Sequence, residues 1–159
     1  MEIIGKTTIN PILFYSGKIC GYLTWLLLGL SFFGINFLPT IENVCLKYTS
    51  IPILIIGFLF IIFSAIFLGK STRLGLPEND TKLKTQGIYK ISRNPMYVGF
   101  NFLTISAIIG QMSIIVIIFG IYSIIIYHSI ILAEERFLKN KFFTDYEEYI
   151  KKSKKIFLI

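Results

Sequence analysis

The chain has 159 residues, of which 54% are hydrophobic and only 16% are charged, with a mean hydropathy of +0.70. Because soluble domains carry about 25% charged residues, this composition excludes an ordinary soluble protein and indicates a single integral membrane domain. The net charge is +7, but the basic residues flank apolar stretches, so they indicate a membrane surface and not nucleic-acid binding. The two cysteines have no paired spacing and predict no metal site.

The N-terminal part of the domain, residues 1–69, contains two predicted membrane spans. The first covers residues 11–38 and includes Lys18, whose long side chain can reach the nearer interface. The second covers residues 51–68, which carry no charge and are just long enough to cross a hydrocarbon core of about 30 Å.

The C-terminal part, residues 70–159, begins with a basic loop and continues into a long apolar stretch over residues 96–132. A single helix of this length would extend about 55 Å, well beyond the membrane, so we predict two helices. Residues 110–113 are the polar break between them. The first of these helices is short, and we expect it to be tilted or covered by its neighbours. The expected fold is therefore an all-α bundle with about four transmembrane helices.

Loop charges predict the orientation. The segment 70–93 and the tail after Leu132 are rich in lysine and arginine, whereas residues 36–50 contain only Glu42 and Lys47 as charged groups. The positive-inside bias then places both termini in the cytoplasm, and we expect a cell inner membrane. Aromatic and aliphatic residues recur at helical spacing over residues 132–155, which predicts an amphipathic C-terminal helix at the interface.

The first cluster of candidate site residues lies where the basic loop enters the third span. Pro95 suits the first turn of a new helix, and Asn94 is placed to cap it. Tyr97 then lies in the first turn of this helix, one turn before Asn101 on the same face, and Tyr89 and Arg93 precede it in the sequence. The free amides at the helix start could face an anionic group. The alternative interpretation is a capped helix with an interfacial tyrosine and a snorkelling arginine.

The second cluster is the pair Glu134 and Glu135 at the end of the apolar stretch. Carboxylates near membrane depth are costly and are functional candidates by default. The alternative is that the helix simply continues into water, with Glu135 paired to Lys139. Both clusters lie on the predicted cytoplasmic side, so they can meet in one polar site.

These residues resemble a known family. The run Gly87-Ile88-Tyr89 and then Arg93-Asn94-Pro95-Met96-Tyr97-Val98-Gly99 is similar to the G-x-Y-x-x-x-R-H-P-x-Y-x-G motif of isoprenylcysteine carboxyl methyltransferases and related membrane phospholipid methyltransferases. An E-E-x-x-L motif follows at Glu134, and an F-x-x-x-Y-x-x-Y tail runs from Phe142 through Tyr146 to Tyr149. The resemblance covers residues 83–155.

The resemblance implies S-adenosylmethionine as the methyl donor and a lipid or prenylated compound as the acceptor. By carry-over, Arg93, Asn94 and Glu135 have catalytic roles. The cofactor-binding residues would be Gly87, Tyr89, Asn94, Pro95, Tyr97, Glu134 and Glu135, with no metal. The family's histidine is Asn94 in this chain, and an asparagine cannot take up a proton.

Two other functions are open from the sequence. A membrane reductase of the sterol-reductase type is similar around the C-terminal helices but would bind NADPH. A small four-helix transporter or accessory subunit is the second alternative, although a transporter would hold its carboxylate in mid-span. The oligomeric state is also open, because Gly17-x-x-x-Gly21 can pack helices within one chain or between two.

Overall fold

A computed structural model describes residues 7–41, 43–69 and 83–153. Over these ranges the structure has no strand, and its elements are four α-helices and a 3₁₀ turn: α1 (Pro11–Phe32), α2 (Val44–Leu68), the turn (Gly87–Lys90), α3 (Pro95–Gln111) and α4 (Ile114–Lys152). Three of the helices, α1, α2 and α4, are long and apolar enough to cross a membrane. The predicted all-α membrane bundle is therefore confirmed.

Helix α1 is shorter than the apolar stretch that predicts it. It begins at Pro11, where the Asn10 side chain accepts a hydrogen bond from the Ile12 amide at 2.9 Å. It ends at Phe32 because Gly34 adopts a positive φ of 79°, and the Gly34 amide turns back to the Ser31 carbonyl at 3.2 Å. This glycine-terminated end satisfies the last carbonyls of the helix. Residues 33–38 are mostly apolar but lie outside it.

Helix α2 begins seven residues before the predicted span. Asn43 caps it by accepting hydrogen bonds from the Cys45 and Leu46 amides at 3.0 and 3.3 Å. In the second turn, Lys47 donates a hydrogen bond to the Ser31 carbonyl of α1, which ties the start of α2 to the end of α1. Hydropathy marks the apolar part of this helix, whereas its cap marks the true start.

The predicted break between α3 and α4 is confirmed. Helix α3 ends at Gln111, Met112 takes the left-handed conformation with φ 45°, and Ser113 precedes α4. At about 1.5 Å per residue, the 17 residues of α3 extend about 25 Å. This short helix lies closely against α2: a Cβ added to Gly99 would lie 2.8 Å from the Gly57 carbonyl oxygen. It is thus covered by a neighbour, as expected.

The four helices alternate in direction, so the start of α1 and the later turns of α4 lie at the same end of the bundle. Near one end, Gly17 of α1 contacts Ile126 of α4; near the other, Leu28 packs with Val116. Gly21 likewise contacts Tyr127. The Gly17-x-x-x-Gly21 motif therefore packs α1 against α4 within one chain, because small residues let the two backbones approach.

The C-terminal helix differs from its predicted boundary. Residues 132–142 continue α4 without a break, because Ala133 to Arg136 are good helix formers. The change of direction comes at Phe143, whose φ of 40° and ψ of −114° are not helical. Residue 155, the predicted end of this helix, and residues 70–82 of the predicted basic loop lie outside the described residues.

Candidate functional site

The loop before α3 is fixed against the end of α2 by Gly87. Its φ of 61° is a conformation that residues with a side chain rarely adopt, and the Phe67 ring occupies the space that a Cβ would need. Tyr89, two residues later, is buried, and burial raises the pKa of its phenol to about 12. The structure thus explains the glycine by the packing of the loop; its predicted contact with a cofactor remains a prediction.

Asn94 occupies the cap position of α3, but its side chain makes no capping hydrogen bond. Its amide nitrogen Nδ2 donates to Glu135 Oε1 at 3.2 Å instead. Asn94 therefore stands at the cap position, as predicted, but its side chain makes its hydrogen bond to Glu135 and none to the free amides of the helix start. Pro95 is fully buried at the first turn and starts the helix, as predicted.

Arg93 and Glu135 form an ion pair between the loop and α4. Arg93 Nε lies 3.6 Å from Glu135 Oε1, and the two side chains are only 10% and 15% exposed. At this distance the contact is an ion pair without a hydrogen bond, since the Nε–H of Arg93 has no hydrogen-bond partner in the described part of the chain. One carboxylate oxygen thus faces both the Arg93 guanidinium and the Asn94 amide.

Glu134 faces a different neighbour, Tyr97 of α3. The Tyr97 hydroxyl donates to Glu134 Oε1 at 2.7 Å, and the Tyr97 ring packs near the rings of Phe100 and Tyr127 with centroids 5.8 and 6.0 Å apart. Because consecutive residues on a helix point about 100° apart, the two glutamates reach separate partners. The structure therefore brings together the start of α3 and the double glutamate, as predicted.

The alternative pairing of Glu135 with Lys139 is not observed. Lys139 Nζ lies 3.6 Å from Glu147 Oε1, and both side chains are more than half exposed. Glu135 instead faces the interior of the bundle, where it meets Arg93 and Asn94. A surface ion pair of the Lys139 kind contributes about 0–1 kcal/mol, so it does not account for the buried carboxylates.

Two tyrosines after the kink at Phe143 complete the site and were not among the predicted site residues. The Tyr149 hydroxyl donates to the Tyr89 carbonyl oxygen at 2.6 Å, which ties the last turns of α4 to the loop. Tyr146 is 1% exposed and interacts electrostatically with Arg93 and Glu135, and among the described residues its hydroxyl has no hydrogen-bond partner. The signal that could have found them is the F-x-x-x-Y-x-x-Y tail.

The described side chains contain no cluster of three or more histidine, cysteine, aspartate or glutamate residues that could hold a metal ion. The site is instead a set of carboxylates, an arginine and phenol rings between the loop, α3 and α4. Such a set can hold a ligand that carries both a positive charge and hydrogen-bonding groups.

The chain is similar to a known protein family. A family model described as phospholipid methyltransferase matches residues 46–145, which contain the loop, all of α3 and both glutamates. No curated protein and no solved structure matches the chain significantly. The matched range includes every predicted site residue, whereas α1 and Tyr149 lie outside it.

Proposed function

The chain belongs to the phospholipid methyltransferase family and is a membrane methyltransferase, and we propose that it transfers a methyl group from S-adenosylmethionine to a lipid or lipidated acceptor at the cytoplasmic membrane face. The observation that carries this proposal is the convergence of Arg93, Asn94 and Tyr97 on Glu134 and Glu135. These contacts gather two carboxylates and an aromatic ring at one end of the bundle, although the segments that supply them are about 40 residues apart in the sequence.

The residues present fit S-adenosylmethionine. The cofactor carries a sulfonium cation, and cations are stabilised by carboxylates and by the faces of aromatic rings. Glu134 and Glu135 offer the carboxylates, and Tyr97 offers a ring beside Glu134. The buried hydroxyl of Tyr146 and the Nε–H of Arg93 have no hydrogen-bond partner within the described ranges, so both can donate to a bound ligand.

Each side chain of the site has a distinct task in this proposal. S-adenosylmethionine, when bound, supplies a methyl group that the sulfonium activates towards a nucleophile. Tyr97 fixes the Glu134 carboxylate by its hydrogen bond, and Arg93 and Asn94 together hold that of Glu135. Positioning of the two reactants supplies most of the catalysis in such a transfer. The chain therefore acts mainly by holding groups in place.

Asn94 limits the chemistry at its position, because an amide neither takes up nor releases a proton. It donates one hydrogen bond to Glu135, which a histidine N–H could also donate. A carboxylate acceptor needs no base, whereas an amine acceptor must lose a proton to another group. The site residues around Asn94 thus suit an acceptor whose nucleophile is already deprotonated, or one that passes its proton to Glu134 or Glu135.

The location of the site supports entry of the two reactants from different sides. In the proposed orientation, both termini and the site lie on the cytoplasmic side of a cell inner membrane, so a soluble cofactor can enter the site from water. Arg93 and the loop lie at the end of the bundle, whereas Tyr97 lies in the first turn of α3. A lipid acceptor would then enter between the helices from the membrane.

Isothermal titration calorimetry of the detergent-purified protein tests the cofactor. We expect S-adenosylhomocysteine to bind and NADPH to give no heat of binding. Saturable binding of NADPH without binding of S-adenosylhomocysteine would refute the proposal and favour a membrane reductase. Neither ligand binding to folded protein would also contradict it and favour an accessory subunit.

A further inference from the structure

Asn101 is a polar residue in the second turn of α3, a helix that is largely apolar. Its carbonyl oxygen Oδ1 is buried and has no hydrogen-bond partner among the described residues. By comparison, Gln111 at the end of the same helix donates to the Thr24 carbonyl oxygen at 3.3 Å. A buried oxygen without a partner is costly, and an apolar side chain of the same size would avoid that cost. The position of Asn101 therefore indicates a partner that the described part of the chain does not supply.

Asn101 continues a stripe of α3 that faces the methyl-transfer site. Asn94, Tyr97 and Asn101 are three and four residues apart, so they lie along one side of the helix. The first two donate hydrogen bonds to Glu135 and Glu134 of α4. At about 1.5 Å per residue, Asn101 lies about 6 Å further along α3 than Tyr97, away from the loop. Its amide is thus placed on the membrane side of the two carboxylates.

The turn of α4 at this depth offers no partner for the amide. Because α3 and α4 run in opposite directions, the turn before the two glutamates lies opposite Asn101, and it contains Ile130 and Ile131. Both isoleucines are buried, and their side chains can neither donate nor accept a hydrogen bond. Asn101 as a whole is only partly buried, so it stands at the edge of the contact between the helices. Helices allow two χ1 values for such a side chain, and a change between them moves the amide towards a molecule that arrives from the membrane.

We propose that Asn101 is a specificity-determining residue for the methyl acceptor: its Oδ1 accepts a hydrogen bond from an N–H or O–H group near the atom that is methylated. This inference rests on the proposed methyl transfer. The acceptor suits the position better than S-adenosylmethionine does, because it enters from the membrane side, on which Asn101 lies. An acceptor that presents only carboxylate oxygens could bond to the amide nitrogen of Asn101 but would leave Oδ1 unpaired.

Titrations with two matched amphiphiles test the proposal. The probes are dodecylamine and dodecyltrimethylammonium, which have the same chain and the same charge at pH 7, but only dodecylamine has N–H groups. The readout is the fluorescence of Trp25, the single tryptophan, whose indole donates at 3.0 Å to the hydroxyl of Thr104, three residues after Asn101. The variants are Asn101→Leu, Asn101→Asp and the control Ser129→Ala, whose hydroxyl bonds to the Ile125 carbonyl oxygen within α4. The detergent concentration is the same in every titration, so that partitioning of the probe into micelles does not differ between variants.

We expect Asn101→Leu to weaken the binding of dodecylamine by about 10- to 150-fold, the effect of losing a hydrogen bond to a charged group. Its affinity for dodecyltrimethylammonium should change less than about twofold, because that probe has no N–H to lose. Asn101→Asp keeps an acceptor oxygen at the same place and should bind dodecylamine at least as tightly as the wild type, and Ser129→Ala should bind both probes unchanged. The midpoint of thermal unfolding of ligand-free Asn101→Leu should not fall, because the variant removes an unpaired buried oxygen.

Three results would overturn the proposal. Equal affinity of the wild type and folded Asn101→Leu for dodecylamine would show that the oxygen makes no bond to the ligand. An equal loss of affinity for both probes would assign the effect to side-chain shape and not to the N–H group. A wild type that is dimeric by light scattering, with a monomeric Asn101→Leu, would assign the amide to a contact between two copies. Failure of the proposed function is distinguishable from these: S-adenosylhomocysteine would then not bind to the wild type, while the difference between the two probes in Asn101→Leu would persist.

Discussion

Replacement of Glu135 by alanine tests the carboxylate that holds both Arg93 and Asn94. In the wild type, Glu135 Oε1 accepts from Asn94 Nδ2 at 3.2 Å and lies 3.6 Å from Arg93 Nε. Glu135→Ala removes both contacts and leaves the guanidinium, which is 10% exposed, without its carboxylate. We therefore expect the variant to bind S-adenosylhomocysteine more weakly than the wild type.

The expected magnitude follows from the hydrogen bond that the Glu135 carboxylate would make to the bound ligand, since its contacts to Arg93 and Asn94 lie within the protein. A hydrogen bond that involves a charged group contributes about 1.5–3 kcal/mol, which corresponds to roughly 10- to 150-fold in affinity. The ion pair adds less than its Coulomb energy, because desolvation of both groups offsets part of the attraction. Isothermal titration calorimetry with S-adenosylhomocysteine measures the loss directly.

The matched control is Glu147→Ala on the same helix. Glu147 forms an ion pair of the same 3.6 Å length with Lys139, but its side chain is 56% exposed. Because such surface pairs contribute about 0–1 kcal/mol, we expect less than about a fivefold change. Equal affinity of folded Glu135→Ala and wild type would refute the assignment of Glu135 to the cofactor site. An equal loss in Glu147→Ala would show that the effect is a general one of charge.

Three further predictions concern packing, Asn94 and topology. Gly99→Ala should lower the midpoint of thermal unfolding, because the added Cβ would lie 2.8 Å from a backbone carbonyl oxygen of α2. The control Gly29→Ala, whose Cβ would have nothing within 4 Å, should leave the midpoint unchanged or raise it. Equal midpoints of the two variants would contradict the close contact between α3 and α2. Asn94→His should keep methyl transfer because an imidazole N–H can also donate to Glu135, and Asn94→Leu should reduce it; full activity of Asn94→Leu would show that the contact is dispensable. In intact cells, a membrane-impermeant maleimide should label the native Cys45, which is exposed at the far end of the bundle, in a variant whose Cys20 is substituted. The same reagent should not label an introduced Lys84→Cys in a variant without Cys20 and Cys45, and labelling of that residue would reverse the topology.

The fold was largely predictable because a membrane-spanning helix can be recognised from the length and the apolar composition of a stretch of sequence alone. The uncharged stretch over residues 96–132 was too long for one helix, and its break at residues 110–113 is where the chain turns. The ends of helices were less predictable. Helix α1 stops at Gly34 although apolar residues follow, and α2 begins at the Asn43 cap although polar residues lie in its first turns. Local capping decides these boundaries, and hydropathy does not report it.

The site was predictable in its members and less so in its contacts. The motifs placed the start of α3 and the double glutamate together, but only the structure shows that Glu134 meets Tyr97 and Glu135 meets Asn94. The burial of Lys18, which is only 6% exposed, was not predictable either, because α1 is apolar on several faces and its pattern does not distinguish lipid from protein. The kink at Phe143 was not predictable, because no glycine or proline lies next to it in the sequence.

In the proposed function, the protein transfers a methyl group to a lipid, and Glu134 and Glu135 hold the methyl donor. Its most direct test is the incorporation of a labelled methyl group from S-adenosylmethionine into the organic-extractable lipids of membranes that contain the protein. We predict labelled lipid with the wild type and with Glu147→Ala, and at least a tenfold lower rate with Glu135→Ala. Incorporation by Glu135→Ala at the wild-type rate, or no labelled lipid from folded wild-type protein across a range of acceptors, would contradict the claim.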